Sequence, residues 1–404
     1  MEVDPGAAGL DAGRLERIAV HFDRYVERGA IPGYQVTVAR GGEVAYVRSA
    51  GHMDRERGTP VAEDTIWRIY SMTKPITSVA LMQLYERGAF LLTDPVHRFI
   101  PEWRDLEVEV TDDDGTTRLV APERPMSVRD ALMHTTGLAG AVVPDHPVDR
   151  RYHRAVVADP SGMTLERAVT LLADLPLKFH PGTRFNYGLS TDICGRLVEL
   201  LSGRRFDEYL DDHVLGPLGM VDTGFSVPEA SAGRLAACYR YTPGAEPELF
   251  DDPATSSYLR RRSYLSGSGG LVSTSADYLR FCRMLLNGGQ LDGERIIGRK
   301  TLELMSSNHL PGGRDLAAFA TGGFGESGFE GVGFGLGFAI GLGPAATAMV
   351  GSYGELSWGG AASTGFWVDP VEDLTAVFMT QLMPSVIYPF RAQLRALVYQ
   401  ALVD

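Results

Sequence analysis

Lysine is the scarcest charged residue in this chain. Of 38 lysines and arginines in 404 residues, only Lys74, Lys178 and Lys300 are lysines. Arginine stays protonated in proteins, so among the strong cations only these three suit a step that requires deprotonation. Cysteine is equally rare. Cys194, Cys238 and Cys282 are odd in number, far apart and without metal-type spacing, which excludes a disulfide framework and predicts buried thiols. None of the nine histidines forms a His-Glu-x-x-His or paired Cys-His pattern, so no metal or other cofactor is expected. No apolar run approaches the length of a membrane-spanning helix. The start, Met1-Glu2-Val3-Asp4-Pro5, lacks the basic and apolar regions of a secretory signal, so the expected residence is cytoplasmic, with no membrane partner. Positive charge is also in deficit. A formal charge of -13 argues against nucleic acid or an anionic membrane as partner and favours a small-molecule substrate. Nothing in the sequence reads out the oligomeric state.

What remains is the composition of an ordinary globular protein, 44% hydrophobic and 22% charged. Residues 11–28 carry Leu15, Ile18, Ala19 and Phe22 on one helical stripe. Tyr34, Val36 and Val38 then alternate with polar positions, Gly41-Gly42 supplies a tight turn, and Val44 and Tyr46 resume the alternation, which predicts a β-hairpin. From residue 93 to 289 the pattern is mixed, with short helices between Pro and Gly turns. Ser127 with Asp130 forms a capping box, Thr164 caps a further helix, and Asp112-Asp113-Asp114-Gly115 is an exposed loop without calcium-site spacing. Strands are expected at 335–340, 347–352, 361–368 and 374–380, before a last helix with Phe390, Leu394, Leu397 and Ala401 on one face. This order predicts an α+β fold: an antiparallel sheet flanked by helices, built from residues 1–90 and 290–404, with a mostly helical domain inserted at 91–289.

The stretch around which the chain is organised is Trp67-Arg68-Ile69-Tyr70-Ser71-Met72-Thr73-Lys74-Pro75. Pro75 fits only near a helix N-terminus, which places Ser71 in the first helical turn. Positions i and i+3 share a helix face, so the Lys74 amine can reach the Ser71 hydroxyl. A serine hydroxyl is a poor nucleophile unless a base adjoins it, and lysine becomes such a base when burial lowers its pKa. The helix that follows is apolar almost all round and should be buried, ending at Gly88. Tyr187 falls on a loop before another buried helix carrying Ile193, Leu197, Leu200 and Leu201, a position from which catalytic groups are commonly presented. His134 is expected to be structural, because no carboxylate or nucleophile is tied to it in the sequence. Gly323-x-Gly325-x-x-Gly328 matches a dinucleotide fingerprint formally but lacks its strand and helix, and Ala361-Ala362-Ser363-Thr364-Gly365 misses the nucleophile elbow of α/β-hydrolases.

Taken together, Ser71-Met72-Thr73-Lys74, Tyr187 with the Asp192 helix behind it, and Ser357-Trp358-Gly359-Gly360-Ala361 resemble the three motifs of the serine β-lactamase-like superfamily. Supporting stretches are His134-Thr135-Thr136-Gly137-Leu138, Leu215-Gly216-Pro217-Leu218-Gly219-Met220 and Gly269-Gly270-Leu271-Val272-Ser273-Thr274, and the likeness runs from about residue 10 to 400. Within it the chain is most similar to the family VIII carboxylesterases, which share the class C β-lactamase fold. The tyrosine motif reads Tyr187-Gly188-Leu189 instead of Tyr-x-Asn, and Trp358 stands where β-lactamases carry a cation. Tryptophan cannot pair with a lactam carboxylate as lysine does, and it offers an apolar wall suited to an uncharged ester.

The resemblance implies Ser71 as acylated nucleophile and Lys74 and Tyr187 as acid and base, in an order it leaves open. It implies the backbone N–H groups of Ser71 and Ala361 as oxyanion donors, and Trp358, Gly359 and Gly360 as substrate-binding positions. The implied activity is ping-pong hydrolysis of short-chain carboxylic esters. Alternatives are an acyltransferase of secondary metabolism using the same acyl-enzyme, a weak β-lactamase or D-amino-acid peptidase, and a sensor that is merely acylated.

Overall fold

The computed structural model describes residues 1–140, 146–157, 162–320 and 329–403. The glycine fingerprint at 323–328 lies outside them.

Helix α1, Ala12–Glu27, starts at Asp11, whose carboxylate accepts the Arg14 N–H, and it buries Leu15, Ile18, Ala19, Phe22 and Tyr25 as its stripe predicts. It leads into β1, Gly33–Arg40, β2, Glu43–Asp54, and β3, Thr59–Pro60. The β1–β2 hairpin turns at Gly41 and Gly42, both at positive φ, the conformation a two-residue turn demands. Near the other end of the chain come β4, Val332–Phe334, β5, Ala339–Gly341, β6, Leu356–Gly359, β7, Gly365–Asp369, and β8, Leu374–Met379. These eight strands form one antiparallel sheet in the order β4-β5-β6-β7-β8-β1-β2-β3, so the two ends of the chain meet where β8 pairs β1, Val36 opposite Phe378.

Two expected strands are corrected. Residues 335–338 are the hairpin turn between β4 and β5, closed by Gly335 N–H donating to Phe338 O, so only Ala339 and Ile340 of that expected strand lie in β5. Residues 347–352 hold no strand. Pro344 opens a four-residue helical turn there and Ala348 is left-handed, so the chain reaches the sheet only at β6.

The sheet separates two cores. On one face Phe22 of α1 packs against Phe378, with ring centroids 5.1 Å apart, and Phe378 against Phe390, 5.4 Å apart. Phe390 opens the last helix of the chain, Phe390–Tyr399. On the other face, helix Ser275–Leu286 sets Tyr278 against Phe366 of β7, 5.0 Å apart. Both faces of β1 are therefore covered, and its polar positions are buried with the rest: Thr37 Oγ1 lies 2.8 Å from Ser275 Oγ, and Gln35 donates to Ser49 Oγ. Helix 275–286, which falls within the expected insertion of residues 91–289, packs on the sheet through Ser275 and Tyr278.

Buried between this core and the 91–274 region is α2, Thr73–Glu86, in which every residue from Thr73 to Leu84 is buried. It ends at Arg87, followed by Gly88 at positive φ, as expected. Against it packs α3, Ser190–Ser202. The capping box of Ser127 and Asp130 and the cap at Thr164 are both formed, Asp112–Gly115 lies at the exposed tip of a small hairpin, and all three cysteines are buried free thiols. No helix among the described residues is long and apolar enough to cross a membrane.

Candidate active site

Ser71 does not sit in the α-helix itself. Tyr70–Met72 form a 3-10 turn that feeds α2, and Tyr70 holds φ at 42°, a left-handed conformation unusual for a bulky residue and characteristic of strained functional turns. The i, i+3 relation survives this change: Lys74 Nζ lies 3.2 Å from Ser71 Oγ. Lys74 also donates to the carbonyl oxygen of Ser268 at 2.7 Å. Burial pushes its amine down from 10.5 to about 7, against an opposing pull from Asp192, so a large fraction is neutral near neutral pH.

The turn is braced from both sides. Trp67–Arg68 pair with Val272–Ser273 as short antiparallel strands, Leu271 N–H donates to Thr73 Oγ1, and Tyr278 Oη donates to Met72 O. These contacts give a physical role to the 269–274 stretch. On the sheet side, a Cβ on Gly360 would stand 2.4 Å from the carbonyl oxygen of Ile69, so glycine is what lets the end of β6 reach the Ser71 turn. Ala361 follows directly. Gly359 serves differently from expectation: the space its side chain would fill is taken by the Arg391 guanidinium, which donates to Thr364 O at 2.9 Å.

Tyr187 arrives from the loop before α3. The His134–Leu138 stretch holds that loop, with Asn186 N–H donating to His134 O at 2.9 Å and Asn186 Nδ2 donating to Leu138 O at 2.8 Å. The Tyr187 ring lies 4.2 Å from Lys74 Nζ, and its hydroxyl oxygen accepts the Trp358 indole N–H at 3.1 Å. Trp358 is thus more than the apolar wall expected of it. Its ring packs 5.4 Å from Phe334 and 5.5 Å from Tyr187, while its one polar atom addresses the tyrosine oxygen. His134 is buried beside Tyr187, ring centroids 4.9 Å apart, with Nε2 3.2 Å from Thr191 Oγ1. Burial first, and Lys74 second, push its pKa well below the ordinary value, so it is neutral.

Ser71, Lys74, Tyr187 and Trp358 therefore converge from a helix start, a loop and a strand, with Gly360 and Ala361 at the strand's end. Sequence reasoning missed the Ser268 carbonyl and the carboxylate of Asp192 behind it. Asp192 accepts from Ser266 Oγ at 2.7 Å and from Ser268 N–H at 3.2 Å. Its sequence signal is an acidic residue in the first turn of a helix whose other charges, Arg196 and Glu199, come later. A cavity of about 240 Å³ lined by Val96, Trp103, Leu106 and Met126 shares no residue with this cluster. Among the described residues no group of three or more His, Cys, Asp or Glu side chains could hold a metal ion.

An antiparallel sheet with helices on both faces, with the Ser71 turn packed at the end of β6, is the β-lactamase and penicillin-binding-protein fold. The Beta-lactamase family profile matches residues 18–400, and the chain belongs to that family. It is similar to Protein Rv1367c of Mycobacterium tuberculosis, at 33% identity over 89% of this chain and 88% of the relative. It is also similar to Esterase EstB of Burkholderia gladioli, at 31% identity over 94% and 93% of the two chains. Among solved structures it resembles EstCE1, a hydrolase with promiscuous acyltransferase activity, at 29% identity and a TM-score of 0.79 over 96% of this chain and 98% of that one.

Proposed function

We propose that the protein is a serine carboxylesterase acting on small, uncharged, short-chain esters through an acyl-enzyme on Ser71. The observation that carries this reading is the buried Lys74 amine 3.2 Å from Ser71 Oγ, with its pKa pushed down to about 7. In this reading neutral Lys74 takes the Ser71 proton as Oγ attacks the ester carbon, and the backbone N–H groups of Ser71 and Ala361 receive the oxyanion. The C–O bond to the alcohol then breaks, Tyr187 passes its proton to the departing oxygen, and Lys74 hands the proton taken from Ser71 on to Tyr187, so that both are restored for the second half-reaction. Water repeats the sequence on the acyl-enzyme and releases the acid, restoring Ser71 and the starting protonation of Lys74 and Tyr187. Trp358 supports an uncharged substrate, because its N–H is directed at Tyr187 Oη and its ring presents no cation to a carboxylate. That arrangement disfavours β-lactams and D-amino-acid peptides.

The similarity to Esterase EstB supports hydrolysis. The likeness to a hydrolase with promiscuous acyltransferase activity supports a second reading, in which an alcohol replaces water in the second half-reaction. The test is p-nitrophenyl butyrate turnover by wild type and Ser71→Ala, with and without an added primary alcohol. The expected result is loss of turnover to background in Ser71→Ala, and an acyl adduct by intact mass in wild type alone. A new ester formed in the presence of the alcohol would select the acyltransferase reading. Equal turnover in both proteins would overturn both readings.

A further inference from the structure

Lys74 is faced from each element packed around it. Tyr187 lays its ring over the amine from the loop before α3, and His134 stands neutral beyond that ring. The 266–268 segment supplies the Ser268 carbonyl. From α3 comes Asp192, a carboxylate 3% exposed, tied to Ser266 Oγ and Ser268 N–H, with Tyr264 also close to it. Asp192 and Lys74 thus meet through one residue, which gives its N–H to the carboxylate and its C=O to the amine.

We propose that Asp192 is a positioning residue acting through Lys74: its carboxylate fixes the 266–268 turn whose carbonyl receives the amine, and its negative charge sets how readily the amine gives up its proton. Burial alone drives the amine toward neutrality, and a permanently neutral lysine could take the Ser71 proton but would hand it on too readily to hold it through the acyl transfer. The buried carboxylate opposes that drift. Burial pushes Asp192 itself upward, and the Ser266 hydroxyl, the Ser268 turn and Lys74 hold it back toward its charged form. The consequence for turnover rests on the Ser71–Lys74 reading; the coupling between the two side chains does not.

With only three lysines in the chain, the protein labelled with ¹³Cε-lysine gives three resolvable titrations by NMR. Lys178 is tied to Asp149 and Lys300 is exposed beside Glu303, and Lys74 is identified as the signal absent from Lys74→Arg. Asp192→Asn keeps the shape and removes the charge. The expected result is a fall of the Lys74 midpoint by about one pH unit, with the acidic limb of kcat/KM moving down by the same amount. A purely structural role would lower activity without moving either. An unchanged Lys74 midpoint in Asp192→Asn overturns the proposal. If circular dichroism shows that variant unfolded, Ser266→Ala carries the test, with a smaller shift in the same direction expected and no shift overturning it. A shifted midpoint combined with full activity in Ser71→Ala would refute the esterase reading and leave the coupling standing. An unshifted midpoint with an inactive Ser71→Ala would do the reverse.

Discussion

At the scale of single residues, the proposed chemistry depends on removing water from one amine. Lys74 is buried on a helix whose first three turns face only protein, and that desolvation costs the charged form more than the nearby Asp192 carboxylate returns. The sign of the pH dependence follows. A base must be neutral to accept the Ser71 proton, so kcat/KM is expected to climb about tenfold per pH unit on the acid side and to level off above a midpoint near 7. The measurement is a pH–rate profile on p-nitrophenyl butyrate, whose scissile ester does not titrate. A midpoint near the ordinary lysine value would mean that Lys74 is not the base. The Ser71–Lys74 pairing was legible because i and i+3 are fixed by helix geometry even when the serine lies in a 3-10 turn. The Trp358 bond to Tyr187 was not, because the two residues are 171 positions apart and nothing in either motif encodes the direction of an indole N–H.

At the scale of elements, the site exists because a strand end, a strained turn and a loop are packed closely enough to share it. The approach of β6 to the Ser71 turn is limited by backbone: the missing Cβ of Gly360 would meet the Ile69 carbonyl at 2.4 Å. Gly360→Ala is expected to push Ala361 away from the reacting carbon and to lower kcat/KM by about a hundredfold, the loss typical of a misplacement of about 1 Å. Acyl-enzyme formation followed by stopped-flow checks this, with the far-UV spectrum unchanged. Wild-type acylation rates in that variant would show that the strand end does not shape the transition state. From the sequence, the resemblance named Gly359 and Gly360 alike as substrate-binding positions; the different surroundings of the two, the Ile69 carbonyl beside Gly360 and the Arg391 guanidinium beside Gly359, come only from the tertiary structure.

For the whole molecule, one sheet keeps two cores apart, and the candidate site belongs to only one of them. Ile69, Met72, Ile76, Trp358 and Phe334 lie in the core on the α2 side, whereas Phe22, Tyr34, Phe378 and Phe390 form the other. Phe22→Ala is expected to cost about 3–5 kcal/mol in urea unfolding, as for a large buried aromatic, while kcat/KM per folded molecule stays at the wild-type value. A fall in kcat/KM under conditions where the variant is fully folded would show that the two cores are mechanically coupled.

The sequence by itself determined what is local or periodic: the stripe of α1, the hairpin at Gly41-Gly42, the buried α2, the Ser71–Lys74 spacing and the rarity of lysine that drew attention to it. It also determined the order of the motifs, and with it the fold. Tertiary structure alone decided the rest. The pairing of β1 with β8, the burial of Thr37 under helix 275–286, the indole on Tyr187 and the Asp192 carboxylate behind Lys74 all join residues distant in the chain. Such contacts leave no periodic trace. They arise only when the layers close, and it is that closure which buries the Lys74 amine beside Ser71.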